Sequence, residues 1–206
     1  MSGIFIAFEG GEGSGKSTQT RMLASWFEEK GRTVVLTRQP GGTELGKELR
    51  HILLDLSVKE VAPKTEALLF AADRAEHMHA VIHPALERGE VVVCDRYVDS
   101  FIAYENGGRQ LHSDDVLRIS RWATDSLVPD LTILLDIAPR VGLARRGELD
   151  RMENQPIDFH ERVRATFLEL AHGEPSRYLV VDAEESSERI AANIKQRCEA
   201  FLNPGP

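Results

Sequence analysis

The residues from Gly10 to Ser17 have the composition and spacing of a phosphate-binding loop. They read Gly-Gly-Glu-Gly-Ser-Gly-Lys-Ser and fit the pattern G-x-x-x-x-G-K-S/T. Glycines let successive backbone N–H groups converge on a phosphate, while Lys16 supplies a mobile positive charge and the Ser17 hydroxyl can ligate Mg²⁺. An apolar run precedes the loop and a helical pattern follows it directly. We therefore expect this loop to bind a nucleoside triphosphate.

Three carboxylates could lie near a magnesium ion at this loop. Glu9 immediately precedes the loop, and Asp95 and Asp136 each end an apolar run of strand length. Because ligands of parallel sheets dock at the carboxyl ends of the strands, each acid could lie beside the phosphates. Asp95 is favoured, since Arg96 and Tyr97 follow it at once. Two alternatives stay open: Asp95 could cap the next helix, and Glu9 could be a buried pairing partner.

A second group of residues could bind a nucleotide that accepts a phosphoryl group. Arg38 lies in the turn Thr-Arg-Gln-Pro-Gly-Gly-Thr at 37–43, which follows a predicted strand. Phe70 and Arg74 are four positions apart in a helical pattern, so they lie on one face. Such a pair can stack on an aromatic base and bind a phosphate. The alternative for Phe70 is a place in the hydrophobic core.

The elements that must position these residues are typical of an α/β fold, because apolar runs of strand length alternate with longer helical patterns. The predicted strands are Ile4 to Phe8, Thr33 to Thr37, Val91 to Cys94, Leu131 to Asp136 and Arg177 to Val181. The predicted helices lie near Lys16 to Lys30, Glu44 to Asp55, Lys64 to Glu87, Ser113 to Ser126, Arg140 to Arg145, Phe159 to Ala171 and Ser187 to Leu202. Pro84 is expected to kink or end the third helix.

No internal repeat, linker or composition shift divides the chain, so we expect one domain over 1–206. The pattern predicts a three-layer P-loop NTPase fold, in which helices flank a five-stranded parallel sheet.

The composition excludes several classes of protein. Of the 206 residues, 28% are charged and 42% hydrophobic, and the formal net charge is −8. This acidic balance argues against nucleic acid as a partner, and no run approaches the ~18 apolar residues of a membrane span. Cys94 and Cys198 suggest neither a metal site nor a redox pair, and the first ten residues lack a leader pattern. We therefore expect a cytoplasmic protein.

Arginine dominates the basic residues, accounting for 19 of 25. Genome base composition could produce this excess. Alternatively, several arginines bind phosphates, for which the forked guanidinium is better suited than an ammonium group.

Five features together resemble the bacterial thymidylate kinases, in order along essentially the whole chain. They are Glu-Gly-x-x-Gly-x-Gly-Lys-Ser at 9–17, Thr-Arg-Gln-Pro-Gly-Gly-Thr at 37–43, Phe70 with Arg74, Asp-Arg-Tyr at 95–97 with Ala-Tyr at 103–104, and Arg-Gly-Glu-Leu-Asp-Arg at 146–151.

The resemblance implies transfer of the γ-phosphoryl group of ATP to dTMP, a step toward dTTP, with Mg²⁺ as cofactor. It places ATP at Gly10, Gly11, Glu12, Gly13, Ser14, Gly15, Lys16, Ser17, Thr18 and Arg145. It places dTMP at Arg38, Phe70, Arg74, Arg96, Ser100 and Tyr104, with Phe70 stacking on thymine and Tyr104 packing under the sugar. It assigns catalysis to Lys16, Arg96, Arg146, Glu9 and Asp95, and Mg²⁺ to Ser17, Asp95 and Glu9. It also implies a homodimer, to which an apolar helix face with Leu68, Leu69 and Ala72 could contribute.

The charged segment that begins at Arg145 and Arg146 corresponds to a lid over ATP, at about 142–154. Some members of the family carry an arginine inside the phosphate loop, and others carry the catalytic arginine in the lid. This loop has none, so Arg146 is the expected transition-state arginine; the alternatives are that another lid arginine acts or that the segment is a solvated surface. The chain also departs from the family: Gln39 stands in place of Glu, Phe101 in place of a small polar residue, and Glu105 in place of a frequent Gln.

Two other functions compete with this interpretation. A deoxynucleoside kinase would phosphorylate a hydroxyl group and would need a carboxylate base, a role that Glu9 could take. A guanine-reading nucleotide switch would carry Asn-Lys-x-Asp and Asp-x-x-Gly motifs, which this sequence lacks. His77, His79 and His83 could suggest a metal site, but without a further ligand the spacing favours a solvated helix face.

Overall fold

The computed structural model describes residues 3–58, 61–147 and 150–202. Its strands are β1 (Ile4–Glu9), β2 (Val34–Arg38), β3 (Val91–Asp95), β4 (Leu131–Asp136) and β5 (Tyr178–Asp182). Its helices are α1 (Lys16–Glu29), α2 (Glu44–Leu54), α3 (Pro63–His77), α4 (His83–Glu87), α5 (Val98–Ile102), α6 (Ser113–Ala123), α7 (Pro139–Ala144), α8 (Ile157–Gly173) and α9 (Ser187–Leu202). Two segments, Met78–Ile82 and Ala103–Gly108, have π-helical hydrogen bonding. None of the described helices combines the length and the apolar character that crossing a membrane requires.

The sheet is parallel throughout, with strand order β2-β3-β1-β4-β5. Its register brings three carboxyl ends to one place. Asp95 of β3 pairs with Phe8 of β1 on one side and with Arg38 of β2 on the other. The loop that follows β1 therefore starts beside Asp95 and Arg38, at the edge of the sheet where ligands of such folds bind.

The alternating side chains of β1 show why helices cover both faces of the sheet. Ile4, Ile6 and Phe8 pack into a core cluster with residues of α1 and α9. Phe5 and Ala7 point to the opposite face and pack into a second cluster with residues of the Met78–Ile82 segment and α4. The apolar side chains of strands that are buried on both faces become exposed to water only if the protein unfolds. The sheet is therefore a rigid base for the loops at its edge.

The predicted fold class and strands are confirmed, with strand ends shifted by at most one residue. One helical region was not predicted: the stretch from Val98 to Gly108 is short and has no sustained apolar period. Of the two alternatives for Pro84, an end to the third helical region is excluded, because the region continues to Glu87. The turn before the proline widens instead: the His83 N–H donates to the Met78 carbonyl, five residues back, which accommodates a ring that would clash with a tighter turn.

Candidate active site

The phosphate loop forms the floor of a cleft at the carboxyl edge of the sheet. The buried Lys16 ammonium donates to the carbonyls of Gly10, at 3.0 Å, and Gly11, at 2.8 Å. Burial and the nearby Arg96 cation lower the pKa of Lys16 to about 8, although neighbouring carboxylates oppose the shift. A cation is therefore fixed at the start of α1, where the helix dipole also favours a bound phosphate.

Gly13 is required in this loop for two reasons. Its φ is +66°, a left-handed conformation that residues with a Cβ rarely adopt. A Cβ at this position would also lie 2.0 Å from the carbonyl oxygen of Gly142 in α7. The phosphate loop and α7 therefore approach each other backbone to backbone, and α7 leads directly into the segment predicted to be a lid.

The Ser17 hydroxyl donates to Oδ2 of Asp95 over 2.7 Å. Both side chains line the cleft, and both are hard oxygen donors of the kind that Mg²⁺ prefers. Asp95 thus faces the phosphate loop, which favours the metal interpretation over a helix cap.

Glu9 is placed differently from its predicted role as a metal ligand. Its side chain is fully buried. It accepts hydrogen bonds from the backbone N–H groups of Tyr97, at 2.8 Å, and Ser100, at 3.1 Å, and from the Ser100 hydroxyl. Burial and the Asp99 charge raise the pKa of Glu9 to about 7, against the opposing Ser100 hydrogen bond. Because its oxygens are committed to these donors, the structure matches the alternative of a buried pairing partner.

Arg96 connects the phosphate loop to the opposite wall of the cleft. Its guanidinium donates to the Gly10 carbonyl at 3.1 Å and to the Ser100 hydroxyl at 3.0 Å, and it pairs with Glu12 at 2.7 Å. Tyr104 also donates to Glu12, at 2.5 Å. Burial opposes ionisation of Glu12, but Arg96 and Lys16 outweigh it and lower the pKa of Glu12 to about 2. Arg96 has a φ of +69°, so the backbone at this junction is strained.

The wall opposite the phosphate loop carries aromatic and cationic side chains. Phe70 and Arg74 of α3 both line the cleft, as the four-residue spacing predicted. The Arg74 guanidinium carbon lies 4.6 Å from the centre of the Phe101 ring. The nitrogens Nε and Nη1 of Arg74 are buried and have no hydrogen-bond partner among the described residues. Arg74 therefore has two donors, beside the cleft, that the described residues leave unsatisfied.

Arg38 lines the cleft from a turn that His77 stabilises. One ring nitrogen of His77 lies 2.6 Å from the Thr37 hydroxyl, and the other lies 2.8 Å from Nε2 of Gln39. Burial, with the Arg74 charge, lowers the pKa of His77 to about 4. The expected solvated face was therefore wrong for His77, which is fully buried. A neutral imidazole holds both sides of Arg38.

The lid segment places Arg145 and Arg146 at the cleft, while Glu148 and Leu149 of the predicted motif lie outside the described residues. Arg145 donates to the Ala183 carbonyl at 2.9 Å, next to β5. The Arg146 guanidinium, 46% exposed, pairs with the buried Glu153 at 2.7 Å. Arg146 thus has a carboxylate partner that an arriving phosphate could replace.

Sequence reasoning missed several residues of the site. Arg50 of α2 lines the cleft and donates to the Pro40 carbonyl at 3.0 Å. The buried Glu66 of α3 accepts from Arg109 at 2.7 Å and also pairs with Arg151, which joins α3 to the lid segment. Charged residues on helices gave no local signal for these pairings, because only tertiary packing brings them together.

Comparisons with known proteins give one result. The family model described as thymidylate kinase matches residues 8–194. A thymidylate kinase of Clavibacter michiganensis subsp. michiganensis is 52% identical, over 100% of this chain and 99% of the relative. One of Bifidobacterium longum is 51% identical, over 95% and 97%. The crystal structure of thymidylate kinase from Ehrlichia chaffeensis superposes with a TM-score of 0.79 at 30% identity, covering 96% of this chain and 99% of that chain.

Proposed function

The chain belongs to the thymidylate kinase family and transfers a phosphoryl group from ATP to dTMP, giving dTDP; we propose how its residues divide this work. The observation that carries the proposal is the position of Arg96. Its side chain contacts Gly10 and Glu12 of the phosphate loop and Ser100 of the opposite wall at once. A group at this junction touches both phosphates that must meet for transfer.

Catalysis rests on charge neutralisation and positioning. The acceptor is a phosphate monoester with a second pKa of about 6, so at neutral pH it is already largely a dianion and needs no strong base. Two polyanions must approach in line, and cations have to offset their repulsion. Lys16 and Arg96 supply positive charge from the floor of the cleft, and Arg146 supplies it from the lid.

Ser17 and Asp95 are the residues that would hold Mg²⁺, because their oxygens converge over 2.7 Å beside the loop. When bound, Mg²⁺ neutralises charge on the phosphate oxygens. Glu9 acts indirectly, through Ser100. Its carboxyl positions Ser100, whose hydroxyl contacts both Glu9 and Arg96.

The dTMP site lies along α3 and the segment after β3. Phe70 stacks on the base, Arg74 donates to its edge, and Tyr104 packs under the sugar. Arg38 and Arg96 bind the acceptor phosphate. Support comes from the shared cleft, which all five side chains line together with the phosphate loop.

A coupled ADP-release assay tests this division, with ATP, Mg²⁺ and a panel of nucleoside monophosphates plus thymidine. We expect turnover with dTMP and none above background with thymidine, whose hydroxyl finds no available base in the buried Glu9. The comparisons support neither a deoxynucleoside kinase nor a nucleotide switch. Faster turnover with thymidine than with dTMP would contradict the proposal.

We also propose a cytoplasmic homodimer that binds no nucleic acid. Leu68 of α3 is 56% exposed, and Trp122 of α6, a helix that contacts α3, is 83% exposed, so each helix offers an apolar side chain to a second copy. Cys94 and Cys198 are buried free thiols, as expected for a reducing compartment. Sedimentation should give a species of twice the 23.0 kDa chain mass. A monomer at micromolar concentration would contradict the dimer.

A further inference from the structure

Glu66, in the first turn of α3, is a fully buried carboxylate with two arginine partners. It accepts hydrogen bonds from Nε of Arg109, at 2.7 Å, and from Nη2 of the same guanidinium, at 3.2 Å. It also pairs with Nη2 of Arg151. Removing the carboxylate would leave two uncompensated charges in the interior, which is costly. Glu66 therefore fixes the relative positions of the elements that carry its two partners.

The two arginines come from different sides of the cleft. Arg109 directly follows the second π-helical segment, which forms part of the dTMP half. Arg151 belongs to the predicted lid at 142–154. The helix α3 itself presents Phe70 and Arg74 to the cleft, four and eight positions after the carboxylate and so on the same helical face. One buried carboxylate thus joins the dTMP side of the cleft to the lid.

Arg151 is held by both its side chain and its backbone. Its side chain is buried, and Nε donates to the Leu53 carbonyl at 2.7 Å. Its backbone N–H donates to the Leu54 carbonyl at 3.2 Å, at the end of α2. With Glu66 as the third contact, Arg151 docks this part of the lid onto α2 and α3.

A tight turn around Arg151 connects it to Arg146. The Asp150 carboxylate accepts from the backbone N–H groups of Met152, at 2.8 Å, and Glu153, at 2.9 Å. The Glu153 carboxylate accepts from the backbone N–H of Asp150 at 3.1 Å and pairs with Nε of Arg146 at 2.7 Å. Because Arg151 lies inside this turn, the contacts that fix Arg151 also fix Glu153, and with it the position of the Arg146 guanidinium.

We propose that Glu66 is a positioning residue for phosphoryl transfer: it holds Arg151, and through the turn around Arg151 it sets where Arg146 enters the cleft. The inference rests on the proposed role of Arg146 at the transferring phosphoryl group. Since α3 also presents Phe70 and Arg74, the acceptor and the lid arginine are positioned from one element. Displacement of a reacting group by about 1 Å can slow a reaction about 100-fold. Loss of Glu66 should therefore slow the chemical step and leave binding nearly unchanged.

Single-turnover phosphoryl transfer from ATP to dTMP by the full chain tests this in a double-mutant cycle of Glu66→Gln and Arg146→Ala. Glu66→Gln keeps the size of the side chain but removes its charge, so the transfer rate should fall about 30-fold. The dissociation constants of ATP and dTMP should stay within about threefold of wild type. In the Arg146→Ala background the same substitution should have almost no further effect, because the group that it misplaces is gone.

Destabilisation alone would give a different result. It would lower the fraction of folded protein in both backgrounds, so the two losses would multiply. The stoichiometry of ATP binding, from calorimetry, counts the folded molecules, and rates are expressed per binding site. Glu169→Gln makes the same charge change at an exposed position of α8 and should transfer at the wild-type rate.

Arg151→Met is a second variant, which removes the lid contact but leaves Glu66 paired with Arg109. It should reproduce the loss of Glu66→Gln and its absence in the Arg146→Ala background, and it decides alone if Glu66→Gln does not fold. Losses that multiply, or transfer within about threefold of wild type in either variant, would overturn the inference.

The proposed function is tested separately by Arg146→Ala alone. Transfer within a few-fold of wild type in that variant would contradict both the role of Arg146 and this inference. If Arg146→Ala is much slower but the losses still multiply, only the positioning role of Glu66 is overturned, and the proposed division of work stands.

Discussion

The two halves of the cleft are built in different ways. Apart from the lid arginines, the ATP half is one contiguous stretch, Gly10 to Thr18, whose conformation depends on glycines and whose donors are largely backbone N–H groups. The dTMP half takes its side chains from β2, α3, the residue after β3, α5 and the Ala103–Gly108 segment. Most of these side chains also have a second residue that holds them. The chemistry of triphosphate binding is therefore local in the sequence, and the chemistry of acceptor recognition is distributed.

This difference has an energetic consequence. A backbone donor cannot be removed by changing a side chain, so the ATP half is sensitive mainly to substitutions that displace its main chain. Each side chain of the dTMP half depends on one or two partners, and each partner can be removed separately. A substitution in the ATP half should therefore either change binding little or weaken it strongly. Substitutions in the dTMP half should each weaken binding by a smaller amount.

The largest effect is expected at Arg146, which lines the cleft from the predicted lid segment. Arg146→Ala should lower turnover about 1000-fold, because an arginine at the transferring phosphoryl group contributes ~10³ or more. ATP binding should change little, since the loop donors remain. Steady-state kinetics and ATP titration measure the two effects. Arg140→Ala, at an exposed position on α7, is the control. Turnover within a few-fold of wild type would show that another group has this role.

Gly13→Ala tests the expectation that displacing the main chain of the ATP half weakens binding strongly. The new Cβ would be strained at φ +66° and would lie 2.0 Å from the Gly142 carbonyl oxygen, so the loop or α7 must move. Strain of about 3 kcal/mol corresponds to an ATP affinity about 100-fold weaker. Gly11→Ala is a matched control, because a Cβ at Gly11 would have no atom within 4 Å and the φ of Gly11 is not positive. Calorimetry with ATP compares them, and equal affinities would contradict the backbone argument.

Sequence reasoning found most of the ATP half because its residues are neighbours. It also found Arg38, Phe70 and Arg74, because a turn and a four-residue helical spacing carry local signals. It could not find what holds the distributed half. Glu12 pairs with Arg96 across 84 positions, and Glu66 pairs with Arg109 across 43. Such pairings depend on how whole elements pack.

The same limit explains Glu9 and His77. Glu9 was predicted either as a metal ligand or as a buried pairing partner, because strand geometry alone does not say whether a side chain faces solvent or a neighbouring element. His77 was predicted on a solvated face, and this was wrong, because the local pattern does not show that Thr37 and Gln39 of another strand and turn pack against it. In both cases the local pattern did not reveal that the side chain is buried.

His77→Gln tests a partner in the distributed half through pH. The native imidazole stays neutral down to a pKa of about 4, while the unfolded chain binds a proton near the ordinary value of 6.5. The unfolded state therefore binds more protons in acid, and wild type should lose ~2 kcal/mol of unfolding free energy between about pH 6.5 and about pH 5 relative to the variant. Urea unfolding across this range measures the difference.

The buried carboxyl groups of Glu9, Asp73 and Glu105 have raised pKa values, so they increase stability as the pH falls. They are present in both wild type and the His77→Gln variant, so they do not affect the difference between the two. His79→Gln, exposed in the next turn, should keep the wild-type pH slope. If the His77 and His79 variants have the same slope, the imidazole is not neutral in the folded state.

The smallest effect is expected at Tyr104, where the two halves meet through one hydroxyl. Tyr104→Phe removes the donor to Glu12 at 2.5 Å but keeps the ring that packs under the sugar. Loss of one hydrogen bond to a charged group is worth ~1.5 kcal/mol, so kcat/KM for dTMP should fall about tenfold. Where the ring packs under the sugar, a ribose 2′-hydroxyl would clash with it, so discrimination against the ribonucleotide should stay because the ring remains. If discrimination fell while kcat/KM for dTMP did not, the hydroxyl rather than the ring would read the sugar, and the dTMP half would depend on Glu12 less than its geometry indicates.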